Sequence, residues 1–270
     1  MIPQDHITQW RTNAPWVSDH QVEQDLVISR ALVALYSHPT IAELVAFRGG
    51  TALYKLHLRP AARYSEDIDL VQTSSMSIGP LLDAVHEVLD PWLGSPQWKQ
   101  GEDMVTLAYR FTSEALPAVP LRLKVEINTR EHFTLHGYEH RKFEVASRWF
   151  RGATTIRTYS LDELLGTKLR ALYQRRKARD LFDLVMALRS GQCSAERIVD
   201  SFRHYTGAAS TRVTRAMFER NLTGKQSHPL FLADLRPLLA AGDDWDADAA
   251  MEQVRTTLIT LLPGEPWQGA

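Results

Sequence analysis

The sequence of 270 residues has little cysteine and no long apolar run. Its single cysteine, Cys193, excludes an internal disulfide and any metal site built from several thiolates. No stretch approaches the ~20 apolar residues that a membrane span requires. The polar segment from Met1 to His6 also lacks the apolar core of a signal peptide. These absences predict a cytoplasmic protein that does not associate with a membrane.

An excess of charge of one sign is missing as well. The chain has 31 Lys and Arg residues against 32 Asp and Glu residues, so its formal net charge is -1. This balance excludes a protein that is basic over its whole surface, although it allows a local basic patch. Hydrophobic residues make up 44% and charged residues 23% of the chain, which is typical of a globular protein with a real core.

The first half of the chain has a mixed pattern of helix and strand. Residues 1–19 are predicted to form a loop or arm, and helical spacing of apolar residues between Leu26 and Leu35 predicts the helix that follows. Polar and apolar residues alternate over residues 67–71, 104–111 and 121–128, which predicts three strands. The first half is therefore expected to contain a sheet flanked by helices.

The second half is predicted to be helical throughout. Ser160 and Glu163 have the spacing of a capping box, and a helical pattern begins directly after Ser160. We therefore expect two domains, an α/β domain with its N-terminal arm over residues 1–155 and a helical domain over residues 156–270.

Three carboxylates stand out because of their positions in the predicted strands. Asp67 and Asp69 are two residues apart, so both side chains point to one face of their strand. Glu126 lies on the polar face of the strand over residues 121–128 and would stand beside them if the two strands are neighbours. Clustered carboxylates raise one another's pKa unless a cation is present, and hard oxygen ligands suit Mg²⁺ or Mn²⁺. Ordinary solvent-facing acids would also explain this pattern.

A pair of glycines precedes these carboxylates. Gly49 and Gly50 follow a short apolar run and come before Thr51, where a second helix is predicted to begin and to extend to Leu58. Glycine allows the backbone to approach a phosphate closely, and the amides at a helix N-terminus favour anions. By itself such a pair also fits an ordinary turn.

Two blocks of the sequence resemble a known family. The first is Phe47-Arg-Gly-Gly-Thr-Ala-Leu-Tyr-Lys55, followed by Arg63-Tyr-Ser-Glu-Asp-Ile-Asp-Leu70. The second is Lys168-Leu-Arg-Ala-Leu-Tyr-Gln-Arg175, followed by Arg-Lys-Ala-Arg179-Asp180-Leu-Phe-Asp183. In this order they resemble the AbiEii/AbiGii toxin family, which belongs to the polymerase-β-like nucleotidyltransferases.

This resemblance implies a fold and a function. The fold would be α+β, a polymerase-β-like core with an α-helical C-terminal region that completes the active site. The protein would transfer a nucleotide from an NTP to RNA, first of all to the 3′ end of tRNA, with Mg²⁺ or Mn²⁺ as cofactor. It would act as the toxin of a bacterial toxin–antitoxin or phage-defence pair, so a cognate antitoxin is an expected partner.

The resemblance also implies roles for individual residues. The metal ion would be held by Asp67, Asp69 and Glu126. The assignment of Glu126 rests on strand parity alone. The triphosphate would lie against Gly49, Gly50 and Thr51, with Ser65 either touching a phosphate or capping the turn. Lys168 and Arg175 would neutralise phosphate charge, and Asp180 would orient them.

The basic residues of the second block also have a physical interpretation of their own. Lys168 and Arg175 fall on the same side of the predicted helix as an apolar stripe, where a cation is costly unless it meets an anion. They either meet phosphates or extend from the helix edge into solvent.

Two other functions stay open. One is an enzyme that nucleotidylates a protein side chain. The other is a catalytically silent scaffold that binds RNA or a partner protein, against which the retained set of Asp67, Asp69 and Lys168 argues.

Overall fold

Alternating polar and apolar residues build the central sheet of the first part of the chain. A computed structural model describes residues 2–208, 212–226, 228–233, 235–239 and 245–269. The chain forms two units, Met1–Tyr159 and Ser160–Ala270. In the part that the structure describes, no helix is both long enough and apolar enough to cross a membrane.

The sheet of the first unit has seven strands among the described residues, in the order β3-β4-β5-β2-β1-β7-β6. The strands are β1 (Val45–Arg48), β2 (Asp67–Gln72), β3 (Gln97–Gln100), β4 (Met104–Thr112), β5 (Pro120–Asn128), β6 (Tyr138–Ala146) and β7 (Arg151–Tyr159). β2 pairs in parallel with β5 and β1 with β7, whereas the other neighbours are antiparallel. The sheet is therefore mixed, as expected for the predicted α+β class.

Helices pack against this sheet. They are α1 (Gln4–Trp10), α2 (Asp19–Ser37), α3 (Pro39–Leu44), α4 (Gly49–Ala52), which continues as a π-helical turn over Leu53–His57, and α5 (Gly79–Leu93). Ser18 caps α2 through a full capping box with Gln21. α2 then packs against β5, β6 and β7, and α5 packs against α2, α3 and β4.

Several elements differ from the sequence-based expectations. Residues 1–19 are not only an arm, because α1 forms there: Ile7 and Trp10 are buried and the Trp10 indole donates to Asp25 at 2.8 Å. The second helix begins at Gly49 rather than at Thr51. Strands β3, β6 and β7 were not predicted, because their exposed or mixed residues lack clean alternation.

The second unit is helical, as predicted. Its helices are α6 (Leu161–Gln174), α7 (Ala178–Ser190), α8 (Ala195–Ala208), α9 (Arg215–Gln226), α10 (Pro229–Ala233) and α11 (Ala247–Thr257), with 3₁₀ turns at Arg236–Leu238 and Ile259–Leu261. α6 packs against α7 and α8. The Ser160 hydroxyl caps α6 by accepting from the Glu163 amide at 3.3 Å. The carboxylate of Glu163 accepts from the Tyr205 hydroxyl at 2.8 Å, a long-range bond that local spacing does not predict.

Candidate active site

The polar faces of β2 and β5 lie side by side. The two strands pair in parallel, with Asp67 opposite Lys124 and Asp69 opposite Glu126. Because side chains alternate along a strand, all four point to the same face of the sheet. The intervening Ile68 and its neighbours on the other face are buried. The register therefore places Glu126 beside Asp69, as the strand parity required.

Lys124 lies between two of the three carboxylates. Its Nζ is 3.2 Å from Asp67 Oδ2 and 3.3 Å from Glu126 Oε2, and the three side chains are about a quarter exposed. Burial opposes protonation of Lys124, but the two carboxylates outweigh it and raise the pKa of Lys124. This role of Lys124 was not predicted from the sequence, although Lys124 has the correct parity in β5.

Asp67 is a carboxylate whose surroundings disfavour its charge. Burial raises the pKa of Asp67, Lys124 opposes this rise, and the charges of Asp69 and Glu66 add to it. Lys124 therefore compensates only part of the negative charge around Asp67.

Gly49 lies directly against Asp69. Its φ is +82°, a left-handed conformation that favours glycine. A Cβ at this position would be 1.9 Å from Asp69 Oδ2, so any other residue would displace that carboxylate. The glycine therefore allows the start of α4 to approach the acidic face of β2.

The next two residues attach the same turn to the segment before β2. A Cβ on Gly50 would be 3.0 Å from Ser65 Oγ and 2.7 Å from Arg63 Nη2. The Thr51 hydroxyl donates to the main-chain carbonyl of Asp67 at 2.5 Å and lies 2.9 Å from Ser65 Oγ. The predicted site residues of the first unit therefore gather in one place, namely Gly49, Gly50, Thr51, Ser65, Asp67, Asp69 and Glu126.

Arg48 and Glu131 are two further charged residues at this face, and neither was predicted as a site residue. Arg48 lies opposite Asp69 in the pairing of β1 with β2, and its guanidinium forms an ion pair with Glu131. Burial opposes ionisation, but Glu131, with Tyr159 and Asp69, raises the pKa of Arg48. In the sequence, the one available sign of this role was that a basic residue stands directly before the glycine pair.

The donor set of this face fits a hard divalent cation. Asp67, Asp69 and Glu126 supply the carboxylate oxygens that Mg²⁺ and Mn²⁺ prefer. The position of Lys124 shows that a positive charge is favoured between Asp67 and Glu126. Within the described ranges, no three His, Cys, Asp or Glu side chains form a ready metal-binding group. A shared ion would therefore require these side chains to rotate and Lys124 to withdraw.

A second charged cluster lies within the helical unit. Lys168 Nζ is 2.9 Å from Asp183 Oδ2 and 3.3 Å from Asp180 Oδ1. Arg175 binds both oxygens of Asp180, through Nε at 2.7 Å and Nη2 at 2.8 Å. We call these four residues the α6–α7 ion cluster. The pairing predicted between these cations and acids is present.

Burial differs among the members of this cluster. Both aspartates are fully buried, the Lys168 side chain is 10% exposed, and Arg175, which follows the end of α6, is 46% exposed. Burial alone would raise the pKa of Asp180, but Lys168 and Arg175 outweigh it and lower that pKa. Lys168 is therefore a buried, paired lysine and not one that extends from a helix edge into solvent.

Comparisons with known proteins bear on the family and the fold of this chain. The sequence pattern of the nucleotidyl transferase AbiEii toxin family, of type IV toxin–antitoxin systems, matches residues 30–253. Among curated protein sequences, none matches closely enough to count as a relative.

Solved structures share the fold. MenT4, a nucleotidyltransferase toxin from Mycobacterium tuberculosis, is 19% identical and superposes with a TM-score of 0.68 over 97% of this chain and 91% of its own. JHP933 from Helicobacter pylori is 16% identical, with a TM-score of 0.56 over 90% of this chain and 92% of its own.

Proposed function

Because this chain belongs to the AbiEii family of nucleotidyltransferase toxins, we propose that it transfers a nucleotide from an NTP to an RNA acceptor, the 3′ end of tRNA. The observation that carries this proposal is the face formed by Asp67, Asp69 and Glu126 against the turn at Gly49. A cognate antitoxin is the partner that would neutralise this activity.

The metal ion belongs to the same proposal. Asp67, Asp69 and Glu126 would hold Mg²⁺ or Mn²⁺, which supplies positive charge for the phosphates of the NTP. Without such a cation the face disfavours a triphosphate, because its four carboxylates, Glu131 included, outnumber the cations of Lys124 and Arg48. The excess of acid is therefore an argument for a metal-dependent reaction.

The residues of the chain account for the remaining requirements of the transfer. The acceptor hydroxyl oxygen forms a bond to the α-phosphorus, the bond to the β-phosphate breaks, and pyrophosphate leaves. Glu126, at the side of Asp69, would accept the proton of the hydroxyl. Gly49 and Gly50 expose the backbone of the turn because they have no Cβ, and Ser65 would donate to a phosphate oxygen.

Lys168 and Arg175 are proposed to neutralise charge on the leaving pyrophosphate. Their pairing with Asp180 and Asp183 would hold both cations in a defined orientation. Arg175 retains an exposed surface that an anion can reach.

One experiment identifies both the nucleotide and the acceptor. The protein is incubated with each labelled NTP in turn, Mg²⁺ and total RNA, and the labelled species are separated. We expect one NTP to label tRNA, and tRNA with a periodate-oxidised 3′ end to stay unlabelled. Label on protein, or label on oxidised tRNA as strong as on intact tRNA, would contradict the proposed acceptor. The Asp69→Ala variant is the matched control, since it removes one carboxylate of the face.

A further inference from the structure

A basic cleft lies within the helical unit. It has a volume of about 420 Å³ and is formed by the segment that ends α6 and by one side of α9. The residues that line it and carry the argument are Tyr173, Arg176, Met217, Arg220 and Lys225. No residue of the α6–α7 ion cluster lines this cleft.

The described lining of the cleft carries positive charge without an acidic residue. Arg176 and Arg220 are exposed, and the described part of the chain offers neither of them an ion pair. No acidic residue occurs in the described lining. Cations that converge without an acid repel one another, so an anion would stabilise the arrangement. This differs from the ion cluster, where each cation faces an aspartate.

Lys225 forms a fixed cation at the base of the cleft. It is 4% exposed, and its Nζ donates to the main-chain carbonyls of Leu172 and Tyr173, the latter at 2.9 Å. These carbonyls belong to the last turn of α6 and have no partner inside the helix. Burial lowers the pKa of Lys225 to about 8, with Asp180 opposing and Arg176 adding to the effect. A bound anion would favour its charged form.

Apolar surface completes the cleft. The Tyr173 ring packs against Phe218, with ring centroids 5.3 Å apart at an interplanar angle of 45°, which restrains its orientation. Met217 is 43% exposed beside it. An aromatic ring with adjacent cations is the combination that binds single-stranded nucleic acid, because bases stack while phosphates meet the cations.

We propose that this cleft binds the single-stranded end of the RNA acceptor, with phosphodiester groups at Arg176 and Arg220 and a base against Tyr173. The proposal rests on the proposed function, since it concerns the acceptor of that reaction. Both arginines are exposed, which suits a backbone that passes through an open cleft.

The test measures RNA binding without catalysis. Fluorescence anisotropy of labelled tRNA is recorded with the full chain in EDTA, without NTP, at several salt concentrations. We expect the double variant Arg176→Gln/Arg220→Gln to raise the Kd by about tenfold to a hundredfold and to reduce the salt slope by about 1 to 2. The control Arg189→Gln/Arg212→Gln removes two exposed arginines outside the cleft and should change the Kd less than about threefold.

Three outcomes would overturn the assignment. Equal weakening by both double variants would mean that only net charge matters. A loss of affinity for free NTP, with tRNA binding unchanged, would make the cleft a mononucleotide site. The binding measurement needs no nucleotide transfer. If the wild type transfers no nucleotide to tRNA but the cleft variant loses tRNA binding, only the proposed function is contradicted. A protein that labels tRNA and whose cleft variant binds tRNA normally would contradict the cleft alone.

Discussion

The two charged clusters of this protein contain similar residue types in different balance. The β2–β5 face contains three carboxylates and one lysine. Lys124 pairs with two of them, Asp67 and Glu126, and these three side chains are about a quarter exposed. In the α6–α7 ion cluster, two fully buried aspartates meet one lysine and one arginine. Within the first cluster negative charge is in excess, whereas the second is neutral as a set.

This difference in balance separates a binding surface from a structural element. A surplus of partly exposed carboxylates weakens the fold locally and attracts cations. A buried, paired set stabilises the fold only while every partner is present, because removing one leaves an uncompensated charge in the interior. We therefore expect substitutions at the face to reduce activity and substitutions in the ion cluster to reduce stability.

The largest expected effect is the loss of activity in Asp69→Ala. Removing this carboxylate deletes a proposed metal ligand, so nucleotide transfer should fall roughly a thousandfold or more. The melting temperature should stay equal or rise, because repulsion at the face decreases. Transfer rates and thermal melts are compared with Asp83→Ala, an exposed acid of α5. Transfer near the wild-type rate would remove Asp69 from the site.

Lys168→Met tests the other side of the comparison. The substitution removes one of the two cations of the α6–α7 ion cluster, so Arg175 alone remains to compensate two buried aspartates. The free energy of unfolding should therefore fall by about 3–5 kcal/mol. Urea unfolding measures this loss, with Lys177→Met as an exposed control.

Lys168 also has a predicted role in triphosphate use. NTP saturation of the folded fraction should show a loss of about tenfold to a hundredfold for Lys168→Met, equivalent to one charge-assisted contact. Lys168→Arg should not rescue it fully, because a planar guanidinium fills the space differently. An unchanged NTP response with lowered stability would make Lys168 purely structural.

Glu126→Gln sharpens the assignment of the third carboxylate. The amide keeps the shape of the side chain but loses its charge and basicity, so the transfer rate should fall by about a hundredfold. Glu144→Gln, on the exposed face of β6, is the matched control and should have wild-type activity. Equal rates in both variants would place the third carboxylate elsewhere.

Lys124→Gln tests whether the ammonium group of Lys124 occupies the place of a metal ion. In EDTA the variant should melt below the wild type, by the equivalent of about 1 kcal/mol, because Asp67 and Glu126 lose their shared partner. Added Mn²⁺ should raise the melting temperature more in the variant than in the wild type. A smaller metal response in the variant would instead make Lys124 part of the binding site. Lys142→Gln, an exposed lysine of β6, controls for the change in net charge.

Acid should act on the two clusters in opposite directions. Asp67 has a raised pKa in the folded protein, so lowering the pH through that value stabilises the wild type relative to Asp67→Asn. Asp180 has a lowered pKa, so its stabilising contribution persists below neutral pH and is lost only as the pH falls through the folded value. Thermal melts of both Asn variants and the wild type from pH 7 to pH 3 measure these trends. If the melting temperature of each Asn variant changes with pH in parallel with that of the wild type, the expected contrast between the two clusters is contradicted.

Much of the candidate site could be predicted because its pattern is local. Strand parity placed Asp67, Asp69 and Glu126 on polar faces, and the glycine pair before a predicted helix marked the turn. The sequence also marked Gly49 as a place of close backbone approach, but it predicted a phosphate there, whereas the structure places the Asp69 carboxylate against it.

Contacts between distant segments could not be predicted in the same way. The ion pair of Arg48 with Glu131 joins β1 to the loop after β5, and Lys225 reaches back to the end of α6. Neither has a periodic signal, because each depends on how separate elements pack. The α1 helix was missed for the same reason, since burial of Trp10 against α2 stabilises it.

The sequence by itself determined which side chains share a face, because side-chain direction repeats every two residues in a strand and every 3.6 in a helix. It also determined the family, through two blocks of motif residues. Only the tertiary structure decided that Asp69 stands opposite Glu126, that Lys124 lies between carboxylates, and that Asp180 is fully buried. Strand register and burial depend on packing between residues far apart in the chain, and no local period encodes that packing.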